Sequence, residues 1–280
     1  MEYRRVDGES LRHFEQFLRN EEKSEATVEK YMHDVRCFVR FIGKEAPNKQ
    51  KVMDYKKELG NSYAITSANS MLAALNAFLR FCGWQELCVK RFKVQKAVYR
   101  PDEKELTKAE YIRLVETARK KNNERLDLIL QSICGTGIRV SELQFITVEA
   151  VERGEAFVCC KGKNRRICIV SQLRKKLLRY IKERRIRSGA VFVTRNGKPV
   201  SRHNIWREVK ALCEQAKVSP QKDFPQNLRH LFARTFYGIE KDIAKLSDIL
   251  GHTSIDTTRI YIATTGLEHK RKMENMRLIL

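Results

Sequence analysis

ILGHTSIDTTRIYI, Ile249 to Ile262, sets a histidine, His252, nine residues ahead of a tyrosine, Tyr261. On one unbroken α-helix nine residues turn through about 900°, which aims the two side chains at opposite faces. The residues between them offer another arrangement. Gly251 is suited to end one helix, and Thr253 or Ser254 supplies a hydroxyl cap for the next, with Asp256 near its positive end. His252 therefore reads as a turn residue and Tyr261 as part of the following helix, an arrangement in which the two can share a site.

Outward from this stretch the chain reads as a globular protein. Its 280 residues are enough for two ordinary domains, and 42% hydrophobic content with 13 glycines and 5 prolines excludes a disordered or fibrous design. No apolar run approaches the roughly 20 residues needed to cross a bilayer, and MEYRRVDGES lacks the apolar core of a signal peptide, so a cytoplasmic protein with no membrane role is expected. Eight cysteines form no C-x-x-C and no paired Cys/His spacing for zinc, which predicts reduced, buried thiols and no metal. Against 34 acidic residues stand 56 Lys and Arg, a net charge of +22 spread along the whole chain. A folded protein this basic usually meets a polyanion, a merely soluble cationic surface being the alternative.

Two halves emerge. LRHFEQFLRN, SEATVEKYMHDVRCFVRFIG, QKVMDYKKELG and ITSANSMLAALNAFLRFCG carry apolar residues at helical spacing, each closing near Gly, Asn or Pro signals, and predict a small all-α unit over residues 1–86. In the second of these, Val28, Tyr31, Met32, Val35, Phe38, Val39 and Ile42 form one stripe behind a Ser24 or Thr27 cap. Lys30, Arg36 and Arg40 lie off it. The basic run after Trp84 contains Pro101 and has no sustained period, so 87–103 reads as a linker. From 104 to 280 a mainly helical domain is expected. It opens with LTKAEYIRLVETARKK and RLDLILQSICGTG, continues with a hairpin in AFVCCKGKNRRICIV, adds a short strand with an Asn-Gly turn in VFVTRNGKPVS, and runs on in helices from Ser201, Asn227, Ile243, Ser254 and Leu267.

GTGIRVSEL, Gly135 to Leu143, is neither of the Gly-rich phosphate loops that signal a nucleotide fold. It does place two glycines just before Arg139, with Glu142 one turn on to hold the guanidinium. Lys161 and Lys163 sit at the hairpin tip, and Arg229 and His230 sit in FPQNLRHLFART. Singly, each has an ordinary structural explanation.

Taken in order, GTGIRVSEL, KGKNRR, LRHLFA and ILGHTSIDTTRIYI resemble the boxes of the tyrosine recombinases, also called the phage integrase family, and the N-terminal helical half is similar to their SAM-like core-binding domain. The resemblance implies a C-shaped clamp around duplex DNA and a site-specific recombinase working through a 3′-phosphotyrosyl intermediate without metal or cofactor. It makes Arg139 and Arg229 the catalytic arginines, Lys161 the hairpin lysine that protonates the leaving oxygen, His252 the later histidine and Tyr261 the nucleophile. Lys163, two residues along, is the rival to Lys161. Lys163, Arg165, Arg166, Lys30 and Arg36 are candidates for contact with DNA.

One position departs from the family's H-x-L-R-H. Here Gln226 precedes Asn227-Leu228-Arg229-His230, and glutamine donates a hydrogen bond but exchanges no proton near neutral pH. That opens an alternative: a weakened, recombinase-like DNA-binding accessory protein. His230 matches a usually structural histidine and points about 100° from Arg229 on a helix. The residue types suit the reaction, because displacement at an anionic phosphodiester needs preorganised cations and the phenol, with its ordinary pKa of about 10, needs an electropositive pocket. The basic, amphipathic stretch TTGLEHKRKMENMRLIL after Tyr261 matches a tail that docks into a neighbouring protomer, implying a homo-tetramer on DNA and a monomer when free. Target sequence, the direction of recombination and a chromosomal or mobile-element origin are left open.

Overall fold

The computed structural model describes residues 6–94, 105–160, 163–222, 224–252, 254–262 and 274–276. The chain divides into two compact units, Met1–Lys96 and Ala97–Leu280.

The first unit is a four-helix assembly, as the periodicity predicts: α1 (Gly8–Asn20), α2 (Glu25–Ile42), α3 (Lys49–Ser62) and α4 (Ile65–Phe81). Caps define its helices. The Asp7 carboxylate accepts from Ser10 N–H (2.8 Å), and the Asn48 side chain accepts from Lys51 N–H (2.9 Å). Ser24 occupies the cap position of α2, but its hydroxyl bonds the Thr27 hydroxyl (2.8 Å) rather than a helix amide. The expected α2 stripe faces inward, with Val28, Met32, Val35, Phe38 and Ile42 buried and Tyr31 and Val39 partly so.

The expected linker is divided. Its described part lies along α4, where two asparagines seven residues apart each form a two-bond clasp with extended backbone. Asn76 takes Val89 N–H (3.0 Å) and gives to Val89 C=O (2.8 Å), and Asn69 does the same for Phe92 (2.7 and 2.9 Å). The Phe92 ring fills the space beside Gly60 under the Lys56 ammonium. Side-chain amides thus supply the ladder that an extended segment otherwise takes from a sheet.

The second unit is mostly helical: α5 (Lys108–Lys120), α6 (Glu124–Thr136), α7 (Val148–Arg153), α8 (Ser171–Glu183), α9 (Arg202–Cys213), α10 (Phe224–Glu240), α11 (Ile243–Leu250) and α12 (Ile255–Ile262). Thr107 and Glu110 form the capping box of α5. Helices α7 and α8 add to those read from the sequence, and α10 begins three residues before Asn227. The sheet is two-stranded among the described residues: β1 (Glu155–Cys160) pairs antiparallel with β2 (Lys163–Cys168).

Two expectations need correction. VFVTRNGKPVS forms no strand. It holds a single bridge between Val193 and Pro199 around the Asn196-Gly197 turn, where Gly197 has φ +72°. Nor are all thiols buried: Cys159 and Cys168 are exposed on the outer face of the hairpin. Strand alternation puts Glu155, Phe157, Cys159, Asn164, Arg166 and Cys168 on that face and Ala156, Val158, Arg165 and Ile167 on the inner one. No helix among the described residues is long and apolar enough to cross a membrane.

Candidate active site

Two helices that end in left-handed glycines build the floor of the site. Gly137 (φ +67°) closes α6 and Gly251 (φ +62°) closes α11. A helix end leaves carbonyls without intrahelical donors and carries partial negative charge, so it suits a cation. Arg229, on α10 and only 3% exposed, spans both ends: its Nη1 donates to Gly137 C=O and its Nη2 to Leu250 C=O (2.6 Å). Neither glycine tolerates a side chain without rearrangement, since a Cβ would lie 2.5 Å from the Phe232 ring at Gly137 and 2.5 Å from Arg165 Cδ at Gly251.

Arg139 leaves the Gly137 turn at the head of a 3-10 helix, Val140–Phe145. Glu142, expected one α-helical turn away, caps this tighter helix by accepting the Arg139 backbone N–H (2.9 Å) and also receives the Arg139 guanidinium (2.9 Å). The other Arg139 nitrogen reaches Gly251 C=O at 3.4 Å. Its side chain remains 38% exposed, while that of Glu142 is 2% exposed. Burial raises the Glu142 carboxyl. The Arg139 N–H and the Arg165 and Arg139 guanidinium groups outweigh it and hold the group below the usual carboxylate range.

His252 and Tyr261 meet as the glycine turn predicts. His252 follows Gly251, Tyr261 rides on α12, and their rings lie 5.2 Å apart. Ser254 caps the helix region by accepting from Asp256 N–H (3.2 Å), whereas Thr253 lies outside the described residues. His252 Nε2 is 3.1 Å from Arg229 Nη2, and its Nδ1 is 2.8 Å from Thr258 Oγ1. A guanidinium only donates, so Nε2 must be the acceptor and the proton of the neutral ring must sit on Nδ1, donated to Thr258. Burial first, then Arg229, Arg139 and Arg165, push His252 down to about 4. The imidazole is therefore neutral at physiological pH, with its free pair turned towards Arg229.

Tyr261 is half-buried. Its ring stacks on His230 at 4.1 Å and lies 6.0 Å from the Arg229 guanidinium carbon. Burial and then Arg139 pull Arg229 down to about 10, and the Tyr261 phenol opposes that shift. The 100° between Arg229 and His230 does not take His230 out of the site, because α12 crosses α10 and brings Tyr261 over both. Arg229 Nε is buried with no hydrogen-bond partner among the described residues.

The remaining expected residues fall apart. Gln226 is exposed on the first turn of α10, one turn before Arg229, and makes no hydrogen bond among the described residues. Lys161 lies outside the described residues, and of Lys163 only the backbone, at the head of β2, is described. Arg166 is an exposed outer-face residue 3.4 Å from Glu155. Arg165, expected to touch DNA, points inward instead, pairing with Glu142 and donating to Ile249 C=O (2.9 Å). In the first unit the Lys30 ammonium is engaged by buried Asp34, while Arg36 is exposed in a groove with His33 and Arg40. Thr258, fully buried and bound to His252, carried no sequence signal. No group of three or more potential metal ligands occurs among the described residues.

Residues 104–267 match the model of the phage integrase family, and residues 11–86 match that of the phage integrase N-terminal SAM-like domain. A tyrosine recombinase XerA of Pyrococcus horikoshii is 30% identical over 284 residues, 98% of this chain and 95% of the relative. The XerA of Pyrococcus furiosus is 29% identical over 289 residues, covering 100% and 98%. Among solved structures, a lambda integrase dimer bound to a COC′ core site superposes with a TM-score of 0.75 at 16% identity, over 92% of this chain and 95% of that one. XerH recombinase in its pre-cleavage complex with difH substrate gives 0.68 at 19% identity, over 95% and 84%.

Proposed function

The chain belongs to the phage integrase family and is a tyrosine site-specific recombinase, and from this premise we propose that Tyr261 attacks a DNA phosphodiester within the site formed by Arg139, Arg229 and His252. One observation carries the assignment of residues. Three guanidinium groups gather around His252, beside Tyr261: Arg139 and Arg165 share the Glu142 carboxylate, while Arg229 bonds the imidazole and lies 6.0 Å from the Tyr261 ring. Such a site has positive charge to spare, which a phosphoryl group's developing negative charge would neutralise. Arg139 offers an exposed fork to a non-bridging oxygen, and Arg229 has a buried Nε–H without an acceptor among the described residues.

In the reaction the Tyr261 oxygen bonds to phosphorus and gives up its proton. The bond from phosphorus to the 5′ oxygen breaks, leaving a 3′-phosphotyrosyl link, and the departing oxygen takes a proton, which the family resemblance assigns to Lys161. His252 Nε2, which accepts from Arg229 Nη2 in the DNA-free site, takes the Tyr261 proton once the phosphate draws the Arg229 donor to itself. Rejoining reverses these steps with another strand's 5′-hydroxyl, so bond energy is conserved. The accessory-protein reading, motivated by Gln226, is not favoured by the comparisons with recombinases.

The domain scheme of a helical DNA-binding unit over 1–86, a connector over 87–103 and a catalytic domain over 104–280 is supported by where the two family models match. In this scheme residues 88–94 stay on the first unit. Arg36, Arg166 and Lys163 remain candidates for phosphate contact, with Lys30 weaker because Asp34 engages it. A cytoplasmic protein assembling as a tetramer on paired sites, with each tail on a neighbour, completes the reading.

The test uses a pool of nicked duplexes with random sequence around the nick, from which covalent protein–DNA adducts are recovered under denaturing conditions and sequenced. Wild type should enrich one sequence, and Tyr261→Phe should yield no adduct on it. Adducts formed equally by Tyr261→Phe would overturn the assignment.

A further inference from the structure

We infer that Arg165 is a positioning residue of the recombinase site, a strut from β2 that fixes both Arg139 and the His252 turn rather than a contact to DNA. The inference rests on the functional reading above but goes beyond the residues assigned there.

Its geometry is that of a strut. Strand alternation turns Arg165 to the inner face of the hairpin, opposite Val158, and its side chain is 11% exposed. One end of the guanidinium pairs with Glu142, which holds both the backbone N–H and the side chain of Arg139. The other end donates to Ile249 C=O at 2.9 Å, two residues before Gly251. Three segments distant in sequence thus meet on one fork: the 3-10 helix, β2 and the end of α11. Gly251 makes the passage possible, because its missing Cβ leaves room for Arg165 Cδ, 2.5 Å from where that atom would be.

A planar fork with donors on separate nitrogens suits this pair of acceptors; lysine carries all three of its donors on one nitrogen. Without Arg165, Glu142 can swing with Arg139, and the carbonyls leading into His252 lose their tie to the hairpin. An exposed phosphate contact, by contrast, would show its nitrogens to solvent and leave Glu142 to Arg139 alone.

The experiment uses the full-length protein and the nicked duplex recovered from the random pool. Under single-turnover conditions with saturating DNA, Arg165→Met should form adduct about 100-fold more slowly, the cost of a small misplacement in a preorganised site. Its affinity for the duplex and the salt dependence of that affinity should match wild type. Arg165→Lys keeps the charge against Glu142 without the second tie and should fall between the two. Nitrogen NMR of His252 in the DNA-free protein gives a second reading: Arg165→Met should raise the imidazole pKa above its value of about 4. Should Arg165→Met unfold, Arg165→Lys carries both measurements.

The inference is overturned if affinity falls with a salt slope reduced by about one while the saturated rate holds, since that marks a phosphate contact. It is also overturned if rate and His252 titration are both unchanged. If wild type itself forms no adduct, the recombinase reading of this site fails, while the His252 titration still reports whether Arg165 acts on the turn.

Discussion

Acidification from pH 7.5 to 5.0 should destabilise the second unit through His252. In an unfolded chain the imidazole titrates near 6.5, and in the site burial and three arginines hold it at about 4. The unfolded state therefore takes up a proton first as pH falls. Stability is complete above 6.5, declines through the interval, and has lost its full contribution once pH passes the folded value. Each pH unit inside that window costs about 1.4 kcal/mol, so about 2 kcal/mol is lost by pH 5.0, or about 1 kcal/mol once solvent screening of a part-exposed ring is allowed for. Glu142 does not confuse the result. Its folded pKa is lowered from 4.5, so its contribution persists above 4.5 and disappears only as pH falls through the lower, folded value. The control is His252→Asn, which removes the titration but keeps a polar group between Arg229 and Thr258. Thermal unfolding of both proteins at the two pH values isolates the difference, because the other five histidines are common to both. At roughly 2–4 °C per kcal/mol, wild type should lose about 2–8 °C more than the variant on acidification. Equal losses would refute the buried, neutral imidazole.

Further tests address the frame around the site. Gly137→Ala should cost about 1–2 kcal/mol for a left-handed alanine, and a further 1–3 kcal/mol for displacing the Phe232 ring, read as a lower unfolding temperature. An unchanged midpoint would contradict the close packing there. Thr258→Val, similar in shape, should cost about 1–3 kcal/mol by stranding the His252 Nδ1–H, and nitrogen NMR should register a changed proton distribution between the ring nitrogens. Asn76→Ala removes both bonds to Val89 and should speed hydrogen exchange at the Val89 amide well before global unfolding. Equal protection in both proteins would show that the clasp does not hold the segment.

Much of the site's frame was legible because its signals are local. The Gly251 turn separates His252 from Tyr261 in ILGHTSIDTTRIYI, the Thr107–Glu110 box opens α5, and the α2 stripe follows directly from helical period. The misreadings came where tertiary partners decide. VFVTRNGKPVS has strand-like residues and an Asn-Gly turn, but its pairing stops at the Val193–Pro199 bridge and one bond from Val191 N–H to Ile146 C=O, too little to make a strand. Asn69 and Asn76 look like ordinary polar helix residues, and only the returning backbone gives them their role. Cys159 and Cys168 are apolar in pattern, yet two-residue alternation puts them outside. The same alternation carried a usable signal for Arg165, which shares a face with Ile167 and stands opposite Val158, but a basic hairpin suggested DNA instead. The stacking of His230 on Tyr261 depends on how α12 crosses α10, which neither helix encodes by itself.

The most direct measurement of the central claim is peptide mass spectrometry on the denatured, nuclease-trimmed adduct from the selected nicked duplex. The account predicts a single modified peptide, with the nucleotide joined through its 3′ phosphate to the Tyr261 oxygen. A nucleotide attached to any other side chain, or joined through a 5′ phosphate, would contradict it.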